Sequence, residues 1–535
     1  MTRYILPTAL VAFWLGCGQP LEHPFSDDAV IVGEVVTGEG TPATNVFVTS
    51  WSSDSAYSVS VVTDERGRFA APLVRPTAYA LAAHGPTIKA TSLEGSGTDD
   101  VVIEVEGDAG SALHPASAYL SLLPDGETKR KFILDCTGCH QFDRQIVEVD
   151  GQPRTRESWV ERINQMIAFS GGSSQFPVMS PSRNAEETAD WLVAHLNATR
   201  HPEPSEGSLV AGAPRDDSMG RSARATITEY PIPEQADLPH DLAVDSRGHV
   251  IVTGMFTHLL YDLDPATGDF ATIPIPVQFA NPRAVDIDAN GVYWTLLGFP
   301  QMIAGFNPAD SSWSQFSIGM YPHSIIPNDG AVWFNGHFTK DPELMGRLDV
   351  ATGEIETFEV PVPPMPDGGT NMPYGLRKGP DGAIWGTELI GNRLIKLSPD
   401  DKMFSVYPLP TPFSGPRRPD PAPDGTIWIP EYAANRIAAF DPALEKFTEY
   451  ELPVRDALPY IVRHHPNTGH IWVATAAADA VFSFNPETAQ FTTYNLPSPR
   501  SLIRHMAVDR ETDGVWVAYG NSPSVTPKVA RIVPW

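Results

Sequence analysis

Short apolar runs separated by turn residues fill most of the chain, and helical spacing is confined to one stretch. Near the N-terminus, apolar and β-branched residues cluster at 30–36, 45–48 and 59–62, with Gly- and Pro-containing turns between the clusters. Short β-branched runs bounded by such turns are typical of β-strands. The pattern predicts a small all-β domain over residues 28–110.

Helical spacing is found in residues 118–200. Apolar residues recur there at intervals of three and four positions, which predicts helices at 127–135, 157–169 and 184–196. The following stretch, 201–225, is rich in Pro, Ser, Gly and charged residues and has no periodicity, as expected of a linker. We therefore expect a small α-helical domain followed by a linker.

From residue 226 to the C-terminus, one pattern recurs at intervals of about 40 residues: several short strands, one of which contains a tryptophan. The equivalent positions in this strand are Ile251, Trp294, Trp333, Trp385, Trp428, Trp472 and Trp516. Such a repeat predicts a β-propeller of seven blades over residues 226–535. The last unit lacks its closing strand, but a matching strand lies at 227–233. We expect this strand to complete the last blade and close the ring.

Residues 62–69 read Val-Thr-Asp-Glu-Arg-Gly-Arg-Phe and resemble the TDxxGxF hairpin of carboxypeptidase regulatory-like domains. The resemblance implies an immunoglobulin-like β-sandwich without catalytic residues. The expected fold class is therefore multidomain and mainly β. It combines an immunoglobulin-like sandwich, the small α-helical domain and the seven-bladed propeller.

Composition narrows the choice of partners. The chain has 535 residues, with 37 Lys and Arg against 65 Asp and Glu, and its net charge is −28 at pH 7. Such an acidic chain is not expected to bind nucleic acid or an anionic membrane surface. Pro and Gly are abundant, yet 42% of residues are hydrophobic, so these residues indicate turns between strands rather than disorder.

Residues 1–17 have the pattern of a secretory signal: one basic residue, Arg3, then an apolar stretch, then small residues. The end of this stretch, Phe13-Trp14-Leu15-Gly16-Cys17, resembles a bacterial lipobox, which implies that Cys17 carries a lipid after cleavage. The alternative is an ordinary secreted protein with a spare thiol. We expect a periplasmic or cell-surface protein, an outer-membrane lipoprotein that contacts the membrane only through this lipid.

The strongest chemical signal is Cys136-Thr137-Gly138-Cys139-His140, which reads C-x-x-C-H, the attachment motif of haem c. Cys136 and Cys139 would form thioethers to the haem, and His140 would be the proximal iron ligand. The alternatives are a reduced cysteine pair and half of a zinc site. A zinc site needs further soft ligands, and the chain has only three cysteines. We therefore predict one covalent haem c.

Three short helices around C-x-x-C-H resemble a class I cytochrome c, and the resemblance implies a methionine as the sixth iron ligand. Met179 lies in a proline-flanked loop before the last helix, where small cytochromes place this ligand. Met166 lies on the middle helix after Trp159 and is the second candidate. His195 is a third candidate, and a histidine on an apolar helix face is more often simply packed there.

Two blade sequences resemble those of streptogramin (virginiamycin B) lyases: residues 379–397, with PDGAIWGTE and NRLIKL, and residues 423–437, with PDGTIWIPE and NRI. The resemblance implies opening of a cyclic depsipeptide by C–O elimination with a divalent metal such as Mg²⁺. It also implies a site formed by a histidine at the start of a blade and a glutamate after the tryptophan strand.

This chain departs from that pattern, because no blade has both residues at these positions. Glu388 and Glu431 fill the glutamate position, but Tyr374 and Arg417 stand at the starts of their blades. Histidines start other blades. The catalytic candidates are His240, His323, Glu388 and Glu431.

The residues that start the inner strands should ring one mouth of the central channel. In blade order they are His240, Arg283, His323, Tyr374, Arg417, Tyr460 and Arg504. Arginine and tyrosine suit carboxylates and other planar anions. We expect this mouth to bind an anionic or carbonyl-rich small molecule; the alternative is a wet channel without a ligand.

Three functions follow from these residues. The first is extracytoplasmic electron transfer by haem c, with a redox partner protein or a small-molecule electron donor or acceptor, and with a propeller that binds a substrate or partner. The second is a C–O lyase with an accessory haem domain. The third is a non-enzymatic surface binding protein. The intact haem motif and the separated His and Glu positions favour the first.

Overall fold

The structure is a computed structural model. It describes residues 29–74, 78–85, 88–96, 100–107, 114–138, 140–168, 180–196, 222–366, 368–520 and 525–535. The predicted lipid-carrying Cys17, the motif residue Cys139 and the candidate ligand Met179 lie outside these ranges.

The N-terminal part consists of strands in one curled sheet. They are β1 (Val30–Thr37), β2 (Phe47–Trp51), β3 (Ser58–Val62), β4 (Arg68–Pro72), β5 (Tyr79–Gly85), β6 (Ile88–Gly95) and β7 (Val101–Gly107). Apolar residues of alternate positions, such as Val48, Phe69 and Leu81, fill its core. The described strands do not form the two separate sheets that were expected of an immunoglobulin-like sandwich. β7 pairs with β6 on one side and, in parallel, with β1 on the other, so the sheet is continuous.

The middle part is helical, and the sequence located its longer helices correctly. The elements are α1 (Ala116–Leu120), α2 (Glu127–Cys136), α3 (Arg144–Val147), β8 (Glu148–Val149), β9 (Gln152–Pro153), α4 (Arg156–Ala168) and α5 (Ala185–Leu196). Phe132, Trp159 and Leu192 come from three different helices and are all buried in one core. None of the described helices is long and apolar enough to cross a bilayer.

The C-terminal part is a β-propeller. Its first three blades consist of β11 (Pro239–Val244), β12 (Val250–Gly254), β13 (Leu259–Leu263) and β14 (Phe270–Pro274); β15 (Pro282–Ile287), β16 (Tyr293–Leu297), β17 (Met302–Asn307) and β18 (Ser312–Ser317); and β19 (Pro322–Asn328), β20 (Ala331–Gly336), β21 (Glu343–Asp349) and β22 (Ile355–Val360).

The next three blades consist of β23 (Pro373–Lys378), β24 (Ile384–Glu388), β25 (Arg393–Ser398) and β26 (Met403–Pro408); β27 (Asp420–Pro421), β28 (Ile427–Glu431), β29 (Arg436–Asp441) and β30 (Lys446–Glu451); and β31 (Pro459–His464), β32 (Ile471–Thr475), β33 (Ala480–Asn485) and β34 (Gln490–Asn495). The inner strand of blade 5 is short because Pro416 and Pro419 lie just before it, and proline cannot donate to a strand ladder.

The blade count differs from the expected seven, because the described strands form six separate four-stranded sheets. The seventh repeat supplies β35 (Ile503–Val508), β36 (Val515–Tyr519) and β37 (Lys528–Pro534). As expected, an early strand, β10 (Ala225–Pro231), pairs with β37. The other edge of β10 pairs with β3, so these four strands belong to an eleven-stranded sheet that includes the N-terminal part.

The helical part packs on one face of the propeller, the face where the inner strands begin. One continuous apolar core joins Phe132 and Leu134 of α2 to Leu389, Leu458 and other residues of blades 4 to 6. The helices therefore cover the mouth at which the ring of inner-strand residues was expected.

Candidate functional site

The C-x-x-C-H motif begins at the C-terminal end of α2. Cys136 is its last residue and packs against the apolar core, and burial raises the pKa of its thiol to about 12. The hydroxyl of Thr137 donates to the carbonyl oxygen of Ile133 at 2.8 Å and so extends the helix end. The Nδ1 atom of His140 lies 3.1 Å from the carbonyl oxygen of Gln141. Because a carbonyl only accepts, Nδ1 carries the proton and Nε2 keeps the lone pair that an iron atom requires.

Two of the candidates for the sixth iron ligand can be placed. Met166 lies on α4 and is partly buried against the shared core. His195 lies on α5, with its ring centroid 5.9 Å from that of Trp191. Within the part of the chain that the structure describes, no group of three His, Cys, Asp or Glu side chains is arranged to hold a metal ion.

The motif contacts the propeller directly. The hydroxyl of Tyr432, which follows β28, lies 2.9 Å from both the carbonyl oxygen and the Oγ1 atom of Thr137. Nearby, Gln141 donates from Nε2 to the carbonyl oxygen of Ala476 at 2.7 Å. All of these polar groups are buried. The C-x-x-C-H motif is therefore hydrogen-bonded to blade 5 through Thr137, and the residue after the motif, Gln141, is hydrogen-bonded to blade 6.

Tyr432 belongs to a tyrosine–arginine cluster, whose other members are Tyr374, Arg417 and Tyr460. The guanidinium carbon of Arg417 lies 3.7 Å, 4.2 Å and 4.8 Å from the ring centroids of Tyr432, Tyr460 and Tyr374. Arg417 also donates from Nη1 to the Tyr374 hydroxyl at 2.6 Å, and this hydroxyl is hydrogen-bonded to that of Tyr460. None of the four side chains is more than 4% exposed.

Three histidines adjoin this cluster. The ring of His323 lies 5.8 Å from that of His240, 4.3 Å from that of His337 and 4.2 Å from that of Tyr374, measured between centroids. Burial lowers the pKa of His240 and of His337 to about 3 and holds the pKa of His323 well below its usual value. The three imidazoles are therefore neutral at physiological pH.

The histidine tautomers follow from their hydrogen bonds. The Nδ1 atom of His323 lies 3.0 Å from the carbonyl oxygen of Tyr374, and that of His337 lies 2.7 Å from the carbonyl oxygen of Pro373. The Nδ1 atom of His240 lies 2.9 Å from a carboxylate oxygen of Asp241. Each ring thus carries its proton on Nδ1, which leaves Nε2 as an acceptor.

The remaining ring residues lie at the same mouth. Arg283 donates from Nε to Oδ1 of Asn281 at 3.0 Å and lies over the ring of Tyr321. Arg504 is buried. Burial raises the pKa of Tyr460, but the charges of Arg417 and then Arg504 outweigh it and lower this pKa overall. The ring expected from the repeat positions is thus present, but its Tyr374, Arg417 and Tyr460 side are covered by the helices.

A second layer of charged residues lies deeper in the channel. Arg418 makes two hydrogen bonds to the carboxylate of Asp241, at 2.7 Å and 2.9 Å, and both side chains are buried. Further along, Arg377 of blade 4 pairs with Asp286 of blade 2 and with Asp420 of blade 5. Asp420 also pairs with Arg463 of blade 6. A small cavity of about 20 Å³ lies within this deeper layer, lined by Asp241, Asp286, Arg377, Arg418 and Arg463 among others.

The two glutamate candidates lie within their blades. Glu388 is fully buried and accepts from Nη1 of Arg393 on the next strand at 2.6 Å. Glu431 is also fully buried, and among the described residues neither of its carboxylate oxygens has a hydrogen-bond partner. Burial, helped by the charge of Glu449, raises the pKa of Glu431 to about 8. No hydrogen bond among the described residues joins either glutamate to His240 or His323.

Sequence reasoning missed His337, Tyr432 and the partner position Thr137. His337 and Tyr432 occupy the same repeat position, four residues after the tryptophans Trp333 and Trp428. Comparing this position around the ring would have drawn attention to both. Nothing in the sequence indicates that Thr137 packs on Tyr432, because the contact spans 295 residues.

Comparison with known proteins shows which family the propeller resembles. Residues 311–526 match the virginiamycin B lyase family. Among solved structures, virginiamycin B lyase from Staphylococcus aureus is 18% identical, with a TM-score of 0.51, and the alignment covers 58% of this chain and 99% of that one. A structure entitled streptogramin B lyase gives the same identity and TM-score, with 97% of its chain covered. No match was found among curated proteins.

These matches concern the propeller only. They give no support for a cytochrome c domain or for a carboxypeptidase regulatory-like domain, both of which stay predictions from the sequence. At this level of identity a structural likeness establishes the fold and not the activity. The C-terminal part of this chain is a virginiamycin B lyase-like β-propeller.

Proposed function

We propose that this chain is an electron-transfer protein in which helices carrying haem c are docked on a lyase-like propeller. The observation that carries the proposal is the contact of Tyr432 with Thr137, inside the C-x-x-C-H motif. It lies on the propeller face that the lyase resemblance associates with catalysis. Tyr374, Arg417 and Tyr460 are buried on that face, which suits a protein interface better than an open substrate site.

The residues around the motif fit a haem. The lone pair of His140 is on Nε2, because Nδ1 is bound to a carbonyl oxygen. Cys136 is partly buried and packs against the apolar core, which favours a flat apolar ring over a hydrated ion. When bound, haem c supplies one-electron chemistry. Cys136 and Cys139 would hold it covalently, His140 would bind the iron, and Met166 or Met179 would complete the ligand set.

The test is covalent haem in protein produced outside the cytoplasm together with the haem attachment machinery. Denaturing gels of the wild type should stain for haem, and Cys139→Ala should abolish or greatly weaken the stain. Met302→Ala, on an outer region of blade 2, serves as the matched control and should stain normally. Wild-type protein without covalent haem would overturn the proposal.

The second candidate is C–O lyase activity, which the comparisons support better than electron transfer, because the matching family and the similar structures named above are those of lyases. Elimination needs a base and a group that stabilises the enolate. A neutral imidazole such as His323 suits the first role, and Arg417 suits the second. Two observations count against this activity: among the described residues Glu388 is bound to Arg393 and has no hydrogen bond to His323, and the helices cover the mouth.

Depsipeptide ring opening in the presence of Mg²⁺, lost in Glu388→Gln or Glu431→Gln, would establish the lyase. A third reading, binding of an anionic small molecule without turnover, predicts salt-sensitive binding that Arg417→Ala weakens more than Arg347→Ala does.

The cellular setting is part of the proposal. A lipid on Cys17 would hold the chain at the periplasmic or outer surface of a bacterial membrane, where covalent haem is attached. The electron donor or acceptor would then be another extracytoplasmic protein or a small molecule. Labelling with a lipid precursor, compared between wild type and Cys17→Ala, tests the anchor.

A further inference from the structure

Arg417 is a buried cation without an acidic partner. Its side chain is 2% exposed, and its neighbours are three phenol rings. In the described part of the chain, Arg417 forms no ion pair, and its Nε atom has no hydrogen-bond partner. Burying an uncompensated charge costs far more than burying a paired one. A negative charge close to Arg417 is therefore expected.

The other groups around the cluster do not supply that charge. Asp241 is already bound through both oxygens to Arg418. His323 and His337 are neutral, because burial lowers their pKa values. Arg504 adds a further positive charge.

The remaining acidic groups are the phenols themselves. The hydroxyls of Tyr374 and Tyr460 are hydrogen-bonded to each other, and Arg417 donates to that of Tyr374. Burial raises the pKa of Tyr460, but the charges of Arg417, Arg504 and Arg418 outweigh burial and lower it overall. Burial raises the pKa of Tyr374. Two linked phenols with opposite shifts are suited to share one proton.

We propose that Tyr374 and Tyr460 hold a single proton between them at neutral pH, that the resulting phenolate is the counter-ion of Arg417, and that the pair takes up a second proton when the haem is reduced. The last part rests on the proposed electron-transfer function. It follows from the contacts that lead from the pair through Arg417 and Tyr432 to Thr137 in the haem motif.

The charges balance in both directions. On reduction, one electron enters from an external donor, and one proton from solvent converts the phenolate to a phenol. On oxidation, the electron leaves to an acceptor and the proton returns to solvent. Because the oxidised state carries one more positive charge near the pair, it favours the phenolate. The reduction potential should therefore fall as pH rises.

The first experiment detects the phenolate and does not depend on haem. Phenolate absorbs in the near ultraviolet at longer wavelength than phenol, so difference spectra at neutral pH should show one phenolate per chain in the wild type. The band should be lost in Tyr460→Phe and in Tyr374→Phe, and also in Arg417→Gln, which removes the cation. Tyr450→Phe, outside the cluster, should keep it. A wild-type spectrum without phenolate would overturn the proposal.

The second experiment measures the midpoint potential of the haem-containing protein against pH. The wild type and Tyr450→Phe should show a potential that falls with rising pH, and Tyr460→Phe and Tyr374→Phe should show a nearly flat profile. A phenolate with a pH-independent potential would refute the redox link alone. A chain without covalent haem would refute the proposed function, while the absorbance experiment would still decide the state of the pair.

Discussion

The Nζ atom of Lys129 on α2 lies 2.6 Å from Oδ2 of Asp456 in the propeller, and the two side chains are 3% and 9% exposed. This buried ion pair joins the helical part to the loop before β31. The same helix also has an exposed ion pair at the same distance, between Lys131 and Glu127. The two pairs allow a direct comparison of how much a buried and an exposed ion pair contribute to stability.

Removing one partner of the buried pair should destabilise the docked helices. Asp456→Ala leaves Lys129 buried without its main counter-ion. The nearby Asp125 lies 3.3 Å away and is exposed, so it is a weaker partner. Losses of about 3–5 kcal/mol are typical of such changes. Glu127→Ala should cost no more than about 1 kcal/mol. Thermal unfolding of both variants checks this, and equal losses would mean that the pair does not hold the interface.

Two variants would identify the sixth iron ligand of the proposed haem. If Met179 binds the iron, Met179→Ala should remove the weak far-red thioether–iron band of the oxidised protein, and Met166→Ala should keep it. The opposite result assigns Met166, whose position on α4 against the shared core is compatible with either role. Loss in neither variant would point to His195 or to an open coordination position.

Glu431 should make stability depend on pH. Its pKa in the folded chain is about 8, against the usual 4.5, so between these values the folded chain binds a proton that the unfolded chain does not. Stability should therefore fall as pH rises from 4.5 to 8. By neutral pH, this titration has lowered the free energy of unfolding by about 3 kcal/mol relative to its value below pH 4.5.

Glu431→Gln removes this titration. Chemical unfolding at several pH values should show that the variant gains stability relative to the wild type as pH rises through this window. The exposed Glu487 provides a control, since Glu487→Gln should leave the profile of the wild type unchanged. A wild-type profile that matches that of Glu431→Gln would mean that Glu431 is ionised in the folded chain.

Glu388→Gln distinguishes a catalytic from a structural role for this residue. Its carboxylate is bound to Arg393 within blade 4, so we expect the variant to lower the melting temperature. In the lyase alternative, it would also abolish Mg²⁺-dependent opening of a depsipeptide ring. Wild-type turnover that Glu388→Gln abolishes would place the lyase ahead of electron transfer; a stable variant with unchanged turnover would exclude this residue from the chemistry.

Local patterns in the sequence predicted much of this fold. Helical spacing located α2, α4 and α5, and the recurring tryptophans located the second strands of blades 2 to 6. These features depend on neighbours in sequence, through side-chain periodicity. The ring of His240, Tyr374 and the other inner-strand residues also followed, because equivalent repeat positions face the same channel.

Contacts between distant segments could not be predicted in this way. The pairing of β10 with β3 makes the seventh repeat part of a longer sheet, and no local pattern specifies which edge a strand finds. Likewise, Tyr374 and Arg417 were expected at an open mouth, but packing of Leu134 and its neighbours on blades 4 to 6 covers them. Burial of this kind depends on the shape of a surface assembled from several blades.

The pairing of Ile227 in β10 with Ser60 in β3 also restrains the helical part. The chain enters the helices after β7, which is fixed in the N-terminal sheet, and leaves them toward β10, which is fixed between β3 and β37. Both ends of the segment are therefore anchored in strands of one sheet. If the contacts of Lys129 and Tyr432 break, re-docking is an intramolecular event, because the helices stay covalently joined to the same sheet at both ends. The helices can thus separate transiently from the propeller without being lost from it.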